Sequence, residues 1–140
     1  MKIKKILPWW LKIISKIILS RLPINYNFWQ SIGLFRHGKM DVSDYALEVF
    51  KSHLIKSEIT TLKDKTVLEI GPGDSIATAI IAHSYGAQSI LVDVGRYIKT
   101  DNHSYISLIS KLKNDGKNPA NIHEDDQLEE ILRKSNSSYF

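Results

Sequence analysis

A chain of 140 residues is about one domain's worth, and 43% hydrophobic against 24% charged residues argues against a disordered chain. Cysteine is absent, which excludes disulfides, thiolate metal sites, iron–sulfur clusters and cysteine nucleophiles, and fits a reducing, cytoplasmic setting. The net charge of +4 is uneven: residues 1–40 hold eight Lys or Arg and no acid, whereas the other hundred hold 11 against 15 Asp or Glu, so no nucleic-acid partner is expected from overall basicity.

The opening MKIKKILPWWLKIISKIILSRL sets basic residues before an apolar stretch, as a signal peptide does. Lys12 and Lys16 interrupt that stretch, however, and no small-residue cleavage site follows. Its uncharged runs fall far below the roughly 18–20 residues of a membrane span. The longest uncharged run, Ser75 to Val92, contains Ser84, Tyr85, Gly86, Gln88 and Ser89 and fits a helix, a turn and a strand. An amphipathic helix is predicted from about Trp9 to Arg21, entered through Pro8. At 100° per residue, Trp10, Ile13, Ile14, Ile17 and Ile18 share one face, and Lys12 and Lys16 lie on the other. Two readings stand: the apolar face packs on the body of the protein, or residues 1–22 make a peripheral contact with an anionic membrane or a partner.

The connector LPINYNFWQSIGLFRHGKMD follows, and its Phe28, Trp29, Ile32, Leu34 and Phe35 are expected to plug a core or cover a cleft. Arg36, His37 and Lys39 around Gly38 form a small cationic loop, either solvated surface or a holder of a ligand carboxylate or phosphate. A helix is predicted from Asp41 or Ser43, either of which can cap it, to about Ser57. Ala46, Leu47, Val49, Phe50 and Leu54 recur along it at three- and four-residue steps. His53 on that helix reads as a packing or surface histidine.

Thr66–Ile70 is a short β-rich apolar run without clear alternation, the pattern of a strand buried on both faces. Gly71-Pro72-Gly73 then turns the chain. Ser75 can cap a helix carrying Ile76, Ala79, Ile80 and Ala82, which Gly86 ends in a left-handed conformation. Ser89–Asp93 is a second apolar strand ending on an acid. Strand, glycine turn, helix and strand in about thirty residues make a βαβ unit, parallel and right-handed by rule. Glycines without Cβ let a ligand approach the backbone, and the following helix offers free N–H groups to an anion. Asp93, about twenty residues after the turn, can accept bonds from two ribose hydroxyls. A dinucleotide fingerprint requires a third glycine where Ile76 stands. Glu69 beside the loop would repel a pyrophosphate but suits a free ammonium.

Glu69-Ile70-Gly71-Pro72-Gly73 with Asp93 downstream resembles motifs I and II of the class I S-adenosylmethionine (SAM)-dependent methyltransferases. The connector is also similar to the lead-in of some bacterial members. The resemblance implies a Rossmann-like α/β fold, a parallel sheet with helices on both faces, with SAM as cofactor. By position, Glu69 would serve the methionine end, directly or through water. Gly71, Pro72 and Gly73 would underlie the methionyl and ribose parts, and Asp93 would hold the ribose. The chain departs from the commonest motif at Ser75, where a third glycine usually lies.

Beyond Asp93, a helix is predicted from Asp101 or Asn102 to Gly116, with Tyr105, Ile106, Leu108, Ile109 and Leu112 as its apolar positions. Asn118–Asn121 reads as a loop, Asp125 to about Lys134 as a helix, and Ser137–Phe140 as the start of a third strand. Glu124, Asp125, Asp126, Glu129 and Glu130 read as solvated surface, with no metal site. A complete class I fold resembles a sheet of about seven strands. Its adenine contact after strand three and its acceptor positions after strand four find no counterpart here. Residues 1–40 are accordingly read as a helical arm, and residues 41–140 as the N-terminal part of a SAM-binding domain. The chain is expected to be a truncated piece, not competent alone, whose first strand is an apolar edge. No catalytic base is assigned, although His37 and Tyr45 are possible; the methyl acceptor is unidentified. Two other classes remain: an NAD(P)-binding oxidoreductase domain, and a non-enzymatic membrane- or partner-binding module with a relict βαβ unit.

Overall fold

The computed structural model describes residues 8–21, 39–98 and 102–140. The chain divides into two units, Met1–Arg36 and His37–Phe140. The described part of the first unit is one helix, α1 (Trp9–Ser20), with Pro8 immediately before it. The expected aromatic plug of Phe28, Trp29, Ile32, Leu34 and Phe35 lies outside the described residues, as do Arg36 and His37 of the cationic loop. Lys39 is described and exposed.

The second unit runs α2 (Ser43–Lys56), β1 (Thr66–Ile70), α3 (Ala77–Ser84), β2 (Gln88–Val92), α4 (His103–Asn114), α5 (Leu128–Lys134) and β3 (Ser137–Tyr139). The three strands form a parallel sheet in the order β1-β2-β3. An α/β architecture with a small parallel sheet is therefore present, and β1 lies at the sheet's edge. The register sets Leu68 beside Ile90 and Ile70 beside Val92.

Burial alternates along β2: Ser89 and Leu91 are buried, whereas Gln88, Ile90 and Val92 are exposed. That two-residue period means one covered face and one open face. The covered face meets α3, whose Ala77, Ala79, Ile80, Ile81 and Ala82 are all buried because α2, α4 and the strands surround it. Two expectations are corrected here. β1 is not buried on both faces: Leu68 is 60% and Ile70 80% exposed. Among the described residues the helices of this unit also do not cover both faces, and the outward-pointing residues of β1 and β2 stay in contact with solvent.

The caps differ from the sequence expectation as well. Val42 occupies the cap position of α2 without a side-chain cap bond, so neither Asp41 nor Ser43 plays that part. Ser43 instead turns inward, its hydroxyl 3.1 Å from that of Ser107 on α4, tying the two helices together. Asn102 precedes α4 without capping it. Its buried amide donates to the carbonyls of Glu124 (3.0 Å) and Asp126 (2.8 Å), tying the loop before α5 to the start of α4. Gly86 and Gly116 end α3 and α4 with φ of 80° and 70°, as a left-handed stop requires. Asn136, with φ 49°, makes the same turn from α5 into β3, a conformation its short polar side chain tolerates.

Candidate functional site

The ends of three adjacent parallel strands converge on the glycine loop. The β1–β2 ladder extends one step past β1, with the Gly71 N–H donating to the Val92 carbonyl at 2.8 Å. The β2–β3 ladder extends likewise: the Asp93 N–H donates to the Phe140 carbonyl at 2.9 Å. The first glycine and the acid are therefore held by sheet hydrogen bonding rather than by loop packing. Across this gap the Gly73 N–H donates to Asp93 Oδ2 at 3.1 Å, and the Val94 N–H donates to Oδ1 at 2.7 Å. The structure thus brings together Gly71, Gly73 and Asp93, with Pro72 between the glycines.

Both glycines adopt left-handed backbone, φ 75° at Gly71 and 67° at Gly73, which side chains with a Cβ rarely enter. A Cβ built on Gly71 would meet nothing within 4 Å, so open space lies on that side of the exposed residue. Pro72 and Gly73 are buried, and Asp93 is half-buried. Each Asp93 oxygen accepts one backbone bond and keeps a second lone pair for a further donor. The loop after β2 is pinned from β3, where the Tyr139 hydroxyl donates to the Gly95 carbonyl at 2.6 Å.

The helix start behaves differently from the expectation of free donors for an anion. The Ile76 N–H donates to the Tyr105 hydroxyl at 3.2 Å, and the Ala77 N–H to Ser75 Oγ at 3.2 Å. Ile76 rather than Ser75 occupies the cap position, and Ser75 also donates to the Met40 carbonyl at 3.2 Å. These N–H groups lie in the core, where an unpaired donor would cost about 1–3 kcal/mol, so the chain satisfies them internally. The first-turn donors at Ile76 and Ala77 are spent. An approaching ligand meets the glycine backbone and Asp93 instead. Sequence reasoning missed Tyr105, which reads as an ordinary core position of α4 and approaches Ile76 only in the folded chain.

Glu69 faces elsewhere. It lines a cleft of about 560 Å³ between α2 and the outer edge of β1, with Met40, Phe50, Leu54, Val67 and Thr78. That lining includes Ile70 but none of Gly71, Pro72, Gly73 or Asp93. Thr78 donates to Glu69 Oε1 at 3.0 Å, whereas Oε2 is buried without a hydrogen-bond partner. Burial pushes the Glu69 carboxyl above the usual carboxylate range, and the Thr78 bond only partly opposes this. A buried acceptor of this kind suits a cation or an N–H donor that returns it to its ionised form.

Four of the five acidic residues before and on α5 pair with bases, and Asp125 is exposed. Lys134 Nζ lies 2.6 Å from Asp126 Oδ2, with only 7% of the Asp126 side chain exposed, so Asp126 is not the solvated residue expected. Glu130 pairs with Lys134, Glu129 with Arg96 and Glu124 with His103. Tyr45 is exposed on α2, and His53 is exposed beside the cleft.

The fit to a nucleoside rests on the open side of Gly71 beside Asp93; Glu69, with its unpartnered oxygen, lines the α2 cleft instead. Comparison with protein-family models, with curated proteins and with solved structures found no match.

Proposed function

We propose that the glycine loop after β1 is the seat of S-adenosylmethionine and that this chain carries the cofactor-binding part of a methyltransferase. The observation that carries the reading is the hydrogen bond from the Gly73 N–H to Asp93 Oδ2. It joins a left-handed glycine turn to the acid that ends the neighbouring parallel strand, at the carboxyl edge of an α/β sheet where such folds hold nucleosides. Asp93 would accept the ribose hydroxyls through its remaining lone pairs. The bare backbone at Gly71 would lie under the sugar and the methionyl chain, whereas Glu69 lines the α2 cleft and takes no direct part at the loop. SAM supplies a methyl group on an activated sulfonium, so the protein's task is placement, for which orientation can contribute roughly 7–11 kcal/mol.

Ile76 in place of a third glycine disfavours a pyrophosphate, and the spent N–H groups of Ile76 and Ala77 weigh against one further. The test is equilibrium dialysis of labelled SAM against the purified chain, with S-adenosylhomocysteine and NAD as competitors. Saturable binding is expected, weak at roughly 0.1–1 mM, or about 4–5.5 kcal/mol. Displacement should follow with S-adenosylhomocysteine and not with NAD. Displacement by NAD instead would transfer the loop to a dinucleotide.

A further inference from the structure

We propose that helix α1 is an in-plane anchor for an anionic phospholipid surface. Trp9, Trp10, Ile13, Ile14 and Ile18 are all exposed on this helix, the two tryptophans by 73% and 50%. Trp10, Ile13, Ile14 and Ile18 trace a single apolar stripe at the helical period, with Trp9 at its margin. Twelve residues rise about 18 Å, well short of the roughly 30 Å hydrocarbon layer. No helix among the described residues is long and apolar enough to cross a membrane. A helix of this length with a full apolar stripe therefore lies along an interface rather than across it.

Charge selects the surface. Residues 1–21 carry Lys2, Lys4, Lys5, Lys12, Lys16 and Arg21 without one acid. That excess complements an anionic leaflet, where each basic residue near the headgroups contributes about fivefold in binding. The two tryptophans at the helix start suit the headgroup boundary, since an indole presents an apolar body and one N–H donor. A nucleic acid would match the charge but leave the isoleucine stripe in water. Such an anchor is independent of what the glycine loop binds, and it would bring the second unit close to acceptors held in or on a membrane.

The experiment is flotation of the full 140-residue chain with vesicles of phosphatidylcholine alone or with about a quarter phosphatidylglycerol. The chain should float with the anionic vesicles, remain at the bottom with the neutral ones, and lose recovery as salt rises. Lys12→Gln with Lys16→Gln keeps the apolar stripe and should weaken partitioning about tenfold or more. Ile14→Asp should abolish flotation, while Ile14→Leu should retain it. Absence of flotation on anionic vesicles overturns the proposal and leaves the stripe to a protein partner. Equal recovery on both vesicle types, or undiminished flotation of Ile14→Asp, overturns it as well.

Discussion

At Glu69 burial places a stability cost on one carboxyl. Its folded pKa is raised by burial, so the fold favours the protonated form. The sign follows: stability is fully present below the unfolded value near 4.3 and is lost as pH rises through the raised folded value. Glu69→Gln keeps the shape and removes the charge. Its melting temperature should exceed that of the unmodified chain at neutral pH, and the gap should close on acidification to about pH 4. Thermal unfolding followed by circular dichroism across that range checks the sign; a gap that widens towards acid contradicts it. Asp93→Ala should weaken SAM binding about tenfold or more, through loss of charge-assisted hydrogen bonds of about 1.5–3 kcal/mol. Equilibrium dialysis reads the change. An unchanged affinity in Asp93→Ala, with its fold intact, would remove Asp93 from the site.

Among the elements, the most exposed dependence is the start of α3, where Tyr105 reaches in from α4 to receive the Ile76 N–H. Tyr105→Phe removes that acceptor from a buried position and should lower stability by about 1–3 kcal/mol, measured by urea unfolding. A change near zero would mean that another acceptor takes the N–H. The pair of Asp126 and Lys134 ties the loop before α5 to that helix's last turn. The Lys134 hydrogen bond, with help from the His123 N–H, holds the Asp126 carboxyl below its usual range. That contribution is present above the unfolded value near 3.9 and is lost as pH falls through the lowered folded value. Asp126→Asn should therefore melt lower than the unmodified chain at neutral pH and converge with it only in strong acid, again by circular dichroism.

These two contacts also mark what was legible in the chain and what was not. Thr66–Ile70 was readable as a strand to the residue, and Gly86 and Gly116 as helix ends, because β propensity and left-handed backbone are local demands. Tyr105 and Asn102 were not, since they serve backbone groups twenty or more residues away that only folding brings near. Gly71, Gly73 and Asp93 were legible as a group because their spacing is that of a βαβ unit. The orientation of Glu69 towards the α2 cleft was not, since it depends on where α2 packs.

Among the described residues, the second unit has an unpaired sheet edge at β1 and an exposed apolar face, formed by Leu68, Ile70, Ile90 and Val92. Phe140, just beyond β3, is exposed too. An unpaired parallel edge flanked by exposed aliphatic side chains is a template for association. The purified chain should self-associate with rising concentration in sedimentation velocity. Leu68→Lys with Ile70→Lys should shift it to monomer without unfolding it, because both side chains point into solvent. A chain that stays monomeric at high concentration would mean that this face is covered in solution.

Amide chemical-shift mapping of the full chain during titration with SAM reads the cofactor seat directly, and it tolerates weak binding. Saturable shifts should concentrate at Gly71, Gly73, Val94 and Gly95, with none along α5. Shifts confined to other surfaces, or none in a chain whose spectrum is well dispersed, would contradict the assignment of this loop to an adenosyl ligand.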